Sequence, residues 1–157
     1  MKSRLLASLL VAVATLSGLS LLHAAEAGPR VVKIKAGADN ALKFDVASIT
    51  AAPGESLKVV LTNASSFPKN VMGHNWILLA KGTDPVAFAN AGAPEADGGY
   101  IPSKMKDKVL ASIGVLGPNE SGEATFNAPT EPGEYPFLCS FPAHCQIGMK
   151  GVLVVKK

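Results

Sequence analysis

The stretch SLKVVLT, residues 56–62, places Leu57, Val59 and Leu61 on one face of an extended chain. A period of two is that of a strand with one face buried. Similar short runs recur as VVKIK (31–35), LKFDV (42–46), HNWILLA (74–80), KVLASIGVL (108–116), EATFNA (123–128), EYPFLC (134–139) and GVLVVK (151–156). Pro53-Gly54, Gly117-Pro118-Asn119 and Pro132-Gly133 supply turn signals between them. Short strands punctuated at this spacing predict an all-β fold, an antiparallel sandwich of about eight strands. One segment breaks the pattern, a helix or flap insertion around 83–107. Thr83-Asp84-Pro85 predicts a short helix through Val86–Ala89, with Pro85 at its first position. The remainder, AGAPEADGGYIPSKMKDK, reads as an irregular surface loop in preference to a binding flap. No internal repeat or low-complexity tract is present.

The first 27 residues stand apart. Lys2 and Arg4 precede an apolar stretch, LLASLLVAVATLSGLSLL, and AEA at 25–27 has the small-x-small form of a cleavage site. This predicts a cleaved signal peptide, 1–27, in preference to a retained anchor, and a single domain over 28–157. No cysteine lies near the junction, which disfavours a lipid anchor. The mature part has no further long apolar run, hence no expected membrane span. Without Lys2, Arg4 and Glu26 its net charge is +2. So mild a charge gives no reason to expect nucleic acid or an anionic membrane surface as partner. Asn63-Ala64-Ser65 and Asn119-Glu120-Ser121 match the glycosylation acceptor pattern, which is short enough to arise by chance.

The chemistry concentrates in CSFPAHCQIGM, residues 139–149. Export implies an oxidising compartment, where Cys139 and Cys145 could form one small disulfide loop. Zinc held by Cys139, His74, His144 and Cys145 is a second reading, but the loop lacks C-x-x-C spacing and leaves Met149 without a role. A nucleophilic Cys139 with His144 and Asn75 is a third, without recognisable hydrolase context. A binuclear copper centre would need C-x-x-x-C. The fourth reading uses every candidate donor. A thiolate, two imidazoles and a weak thioether form the site that accommodates both Cu(I) and Cu(II) with little rearrangement. His74 lies far upstream; Cys139, His144 and Met149 share the late loop. His23 leaves with the signal, so both remaining histidines are used.

FPKNVMGHNW (67–76), followed by CSFPAH and MKG, resembles the cupredoxin family, nearest the azurins and auracyanins, over nearly all of 28–157. The resemblance implies an eight-stranded Greek-key sandwich with one copper at one end, bound by His74, Cys139, His144 and an axial Met149. The Gly73 carbonyl approaches copper from the opposite side in this pattern. Asn75 and Ser140 match residues that brace the ligand loops, Ser140 standing where threonine is usual, and Trp76 matches a core tryptophan. Phe67, Pro68, Met72, Phe141, Pro142 and Ala143 match an apolar docking surface around the exposed edge of His144. Two features depart from azurin. Four residues, Cys145–Gly148, separate His144 from Met149, as in auracyanins, and Cys145 has no counterpart.

The implied function is one-electron transfer between redox partners such as c-type cytochromes or oxidoreductases, in the periplasm, with no substrate turned over. The alternative of a copper-delivery protein would call for an open, methionine-rich site, which this loop is not. A fragment of a copper oxidase or nitrite reductase would need further histidines.

Overall fold

A computed structural model describes residues 28–157; the expected signal peptide lies outside the described residues. Eight strands follow in chain order: β1 (Arg30–Ala36), β2 (Ser48–Ala51), β3 (Ser56–Asn63), β4 (His74–Leu79), β5 (Val109–Leu116), β6 (Ser121–Asn127), β7 (Gly133–Leu138) and β8 (Lys150–Val155). Short helices α1 (Lys69–Met72), α2 (Pro85–Gly92) and α3 (His144–Ile147) occupy connections. The strands form two sheets, ordered β1-β3-β6 and β2-β8-β7-β4-β5.

Two pairs depart from the antiparallel expectation: β1 runs parallel to β3, and β2 parallel to β8. Both follow from one crossing, in which the chain leaves the smaller sheet after β1 and joins the edge of the larger one. That crossing also corrects the strand expected at 42–46. Phe44 makes only an isolated bridge to Ala36, and the next strand is 48–51. Asp45 holds Lys35 through both its backbone N–H and its carboxylate, at 3.0 and 2.7 Å, and the chain then changes sheets. Phe44 is nevertheless buried, its ring 5.7 Å from that of Phe137. An apolar residue in a crossover segment carries the same sequence signal as one in a strand.

Leu57, Val59 and Leu61 line the space between the sheets together with Trp76, Leu78, Phe137 and Leu153. Trp76 packs between Phe126 and Phe137, with ring centroids at 5.9 and 5.6 Å. Strand β4 is buried at every residue, because both faces of it are covered. Trp76 and Leu78 face the main core. Ile77 and Leu79 join a second cluster with Phe88, Ala89, Leu138 and Cys145.

The lid of that second cluster is α2. Asp84 caps it, accepting from the N–H groups of Val86 (2.8 Å) and Ala87 (3.1 Å), with Pro85 at the first turn. Wholly buried Phe88 contributes about 1.5–3 kcal/mol by the transfer of its side chain from water. The helix expected after Asp84 thus seals the outer face of the larger sheet, and Ile101 and Met105, from the segment read as a surface loop, pack against the same cluster. The sequence displays only two strong apolar residues in that helix, Val86 and Phe88, so the pattern was too short to announce a packed face.

Candidate metal centre

Three strands bring the donors to one end of the sandwich. Cys139 follows β7 directly, and the loop 139–149 returns to β8, its antiparallel neighbour. His74 opens β4, which pairs with β7 through Ile77–Leu138 and Leu78–Phe137. Its N-terminal end therefore lies beside the C-terminal end of β7. Next to it, the β4–β5 register slips between His74 and Trp76, an irregularity of the kind that re-aims side chains beside functional sites.

The loop closes on itself through its backbone. Cys139 N–H donates to the Met149 carbonyl at 3.0 Å, Met149 N–H to His144 at 3.0 Å, and His144 N–H to Phe141 at 3.1 Å. Reversing so tightly requires Ala143 and Gly148 at φ +69° and +121°, the second a region that favours glycine.

His74, Cys139 and His144 are all buried, and their donor atoms lie within 4.8 Å of one another. Cys139 Sγ stands 3.9 Å from His74 Nδ1 and 3.5 Å from His144 Nδ1. With bonds of about 2.0–2.1 Å to nitrogen and about 2.3 Å to sulfur, a trigonal plane puts N and S about 3.8 Å apart. The observed spacing therefore suits three donors around one ion. Met149 is fully buried and belongs to the same core cluster as Cys139.

Burial sets the protonation states. His74 is pushed down to about 4 by desolvation and, secondarily, by His144. His144 is pushed down to about 4 by desolvation. Both imidazoles are therefore neutral at pH 7, each with a lone pair to offer. Desolvation drives the Cys139 thiol up to about 12, against backbone hydrogen bonds from Asn75 and Phe141 that favour the thiolate. Metal binding must displace that proton, so uptake releases it to solvent.

Around the donors the loops are stitched together. Asn75 Nδ2 donates to Ser140 Oγ at 2.9 Å and to the Gly99 carbonyl at 3.0 Å, while its Oδ1 accepts from Ser140 N–H at 2.8 Å. Gly73 is demanded by space: a Cβ there would lie 2.6 Å from the Lys69 carbonyl and from Val115 Cγ1, and 3.0 Å from Phe141. Phe141 packs on His144 at 4.8 Å. Phe67, Pro68, Pro142 and Ala143 are exposed and Met72 half-buried, all in the two ligand-bearing loops; exposed Val71 and Ile147 extend that surface.

Cys145 is not part of the donor set. It lies in the second cluster under α2, with its Sγ 3.5 Å from the Pro85 carbonyl, and both cysteines are free thiols. That placement removes the fourth donor from the zinc reading and the partner from the disulfide reading.

Four residues of the site escaped the sequence reading. Asn63, noted there only as a glycosylation match, is fully buried and donates to the Met72 and Leu116 carbonyls at 3.1 and 2.9 Å. It continues the buried alternation of Leu57, Val59 and Leu61, a signal that was present. Ser65 N–H donates to Asn63 Oδ1 at 2.9 Å. Gly37 is the third: a Cβ there would lie 2.4 Å from His74 Nε2. Tyr100 is the fourth, its ring 5.1 Å from that of Phe141 and edge-on to it. It forms one wall of an open cleft of about 390 Å³ shared with Lys69, Asn70, Ala96, Val115 and Phe141.

Residues 31–156 match the family described as copper binding proteins, plastocyanin/azurin family. The chain is 33% identical to auracyanin-B of Chloroflexus aurantiacus over 131 residues, which span 83% of this chain and 54% of that one. It therefore spans about half the length of that relative. It is 34% identical to azurin of Pseudomonas chlororaphis over 128 residues, 79% of this chain and 98% of the azurin. Among solved structures, auracyanin A of Chloroflexus aurantiacus, described as a "blue" copper protein, superposes with a TM-score of 0.71 at 32% identity. That match covers 82% of this chain and all of that one.

Proposed function

Because the chain belongs to the plastocyanin/azurin family of copper-binding proteins, we propose that it is an exported type 1 copper protein carrying one electron at a time between redox partners. Copper, when bound, supplies the Cu(I)/Cu(II) couple. The observation that carries the reading is the buried triad of His74, Cys139 and His144, neutral and spaced for a trigonal plane.

Within this reading His74, Cys139 and His144 would hold the metal, with the Met149 thioether and the Gly73 carbonyl as weaker additional donors. Asn75, Ser140 and Phe141 fix the donors, since outer partners hold metal geometry as much as the ligands do. Burial excludes water from the thiolate. The His144 side of the site lies nearest the surface, His144 being 4% exposed among apolar Phe67, Pro68, Met72, Pro142 and Ala143. That surface is the docking face for redox proteins such as c-type cytochromes. Among the described residues no helix is long and apolar enough to cross a membrane. The apolar leader, Met1–Ala27, supports export to a periplasm.

The test is a visible absorption spectrum of the purified protein loaded with Cu(II), then reduced and reoxidised. An intense blue or green band that bleaches and returns, and that Cys139→Ala abolishes, is expected. A colourless copper complex, or a band that survives Cys139→Ala, refutes thiolate ligation.

A further inference from the structure

The segment between β4 and β5 touches the ligand loop in three places and the start of β4 in a fourth. Cys145 Sγ donates to the Pro85 carbonyl at 3.5 Å, on the first turn of α2. Gln146 Nε2 donates to Asn90 Oδ1 at 2.6 Å, farther along the same helix. Asn75, beside His74, donates to the Gly99 carbonyl. Tyr100 sets its ring edge-on to Phe141, which in turn packs on His144.

Two features show that these contacts are imposed. Tyr100 has φ +62°, a left-handed conformation costing a non-glycine residue about 1–2 kcal/mol. Such strain persists only where the surroundings over-determine it. Cys145 immediately follows His144, yet its side chain turns away from the donors into the cluster of Ile77, Leu79, Phe88, Ala89 and Leu138. One turn of helix, α3, therefore presents adjacent residues to opposite sides: His144 to the site and Cys145 to the core beneath α2.

We propose that the β4–β5 segment is a clamp on the metal site. In it Cys145 and Gln146 act as positioning residues that anchor α3 to α2 and so hold His144 and Met149 in place. The proposal rests on the electron-carrier reading only for what the clamp serves; the anchoring itself is a property of the metal-free chain. A loop with four residues between His144 and Met149 contains one helical turn, and a turn so short has little stability of its own. Fixing one side of it to a buried cluster supplies the rigidity that a site with little reorganisation needs.

Two measurements on the same variants separate the clamp from the copper reading. The first is amide hydrogen exchange of His144, Ile147, Gly148 and Met149 in the metal-free protein. The second is the rate of copper release to a strong chelator. The variants are Cys145→Ala, and Gln146→Ala and Asn90→Ala, which cut the exposed tie from either side without touching the core. Ile49→Val in β2 serves as a mild core deletion away from the clamp. Clamp variants should lose up to about tenfold of the protection in the loop and release copper up to about tenfold faster, the scale of one lost hydrogen bond. Ile49→Val should do neither. Gln146→Ala and Asn90→Ala together should cost no more than either alone. Unchanged loop exchange in both Cys145→Ala and Gln146→Ala would overturn the clamp. Loss of protection in a protein that forms no coloured copper complex would leave the clamp standing and defeat the electron-carrier reading instead.

Discussion

Asn75→Ala is the sharpest probe of how the site is held. The side chain makes three hydrogen bonds, two buried ones with Ser140 and a half-buried one with the Gly99 carbonyl. Alanine removes all three and strands the Ser140 N–H and the Gly99 carbonyl. A typical hydrogen bond contributes about 0.5–1.5 kcal/mol net, and a buried group left unpaired costs about 1–3 kcal/mol. Small relaxations and water entry near half-buried Gly99 offset part of this, which leaves about 2–4 kcal/mol. For a domain of this size each kcal/mol lowers Tm by roughly 3–5 °C, so a drop of about 6–20 °C is expected. The assays are thermal unfolding for Tm and denaturant unfolding for the free energy, both on the metal-free protein, because bound copper would stabilise the folded state by mass action and mask the difference. A second reading on the same variant is the position of the copper band. The Asn75 side chain also anchors Ser140, the neighbour of Phe141, whose backbone N–H together with that of Asn75 favours the Cys139 thiolate, so the thiolate should be disturbed along with the fold. A loss below about 0.5 kcal/mol would fall in the range of an ordinary surface substitution, and would show that the three bonds are replaceable.

Two further substitutions and a pH series test other parts of the argument. Gly37→Ala adds a Cβ 2.4 Å from His74 Nε2 at φ +73°; it should cost more than about 1–2 kcal/mol and alter the copper spectrum, whereas a normal spectrum would show that the imbalance is absorbed away from His74. Asn63→Ala should destabilise the metal-free protein by about 1–3 kcal/mol, since it leaves the Met72 and Leu116 carbonyls without their donor; thermal unfolding reads this, and an unchanged Tm would refute it. The metal-free protein should lose stability as pH falls from about 6.5 towards about 4. In that window the unfolded chain takes up protons on both histidines while the folded one does not, so the unfolded state gains. Urea midpoints that stay flat over the window would show that His74 and His144 are not held neutral.

The donors were legible because metal chemistry restricts residue type as well as spacing. His74, Cys139, His144 and Met149 are rare residues with few other uses in this chain, and their order along the sequence is that of a known family. The strands were legible wherever one face is buried, as at Leu57, Val59 and Leu61. What stayed hidden has a common physical cause: residues whose role is set by a partner distant in sequence. Tyr100 and Gly99 serve the site from a segment with no periodicity. Gly37 matters only because the His74 ring lies against it, and nothing in its neighbourhood announces that. Cys145 drew attention for its type, and every sequence reading of it concerned sulfur chemistry. The structure gives it a packing role, as free cysteine commonly has among buried side chains. The contrast between Cys139 and Cys145 follows from direction alone. Both are buried thiols in one loop, but one faces two imidazoles and the other a carbonyl in an apolar cluster. Direction along a single helical turn, which no spacing rule encodes for a loop of unknown shape, decides that only the first can meet the metal.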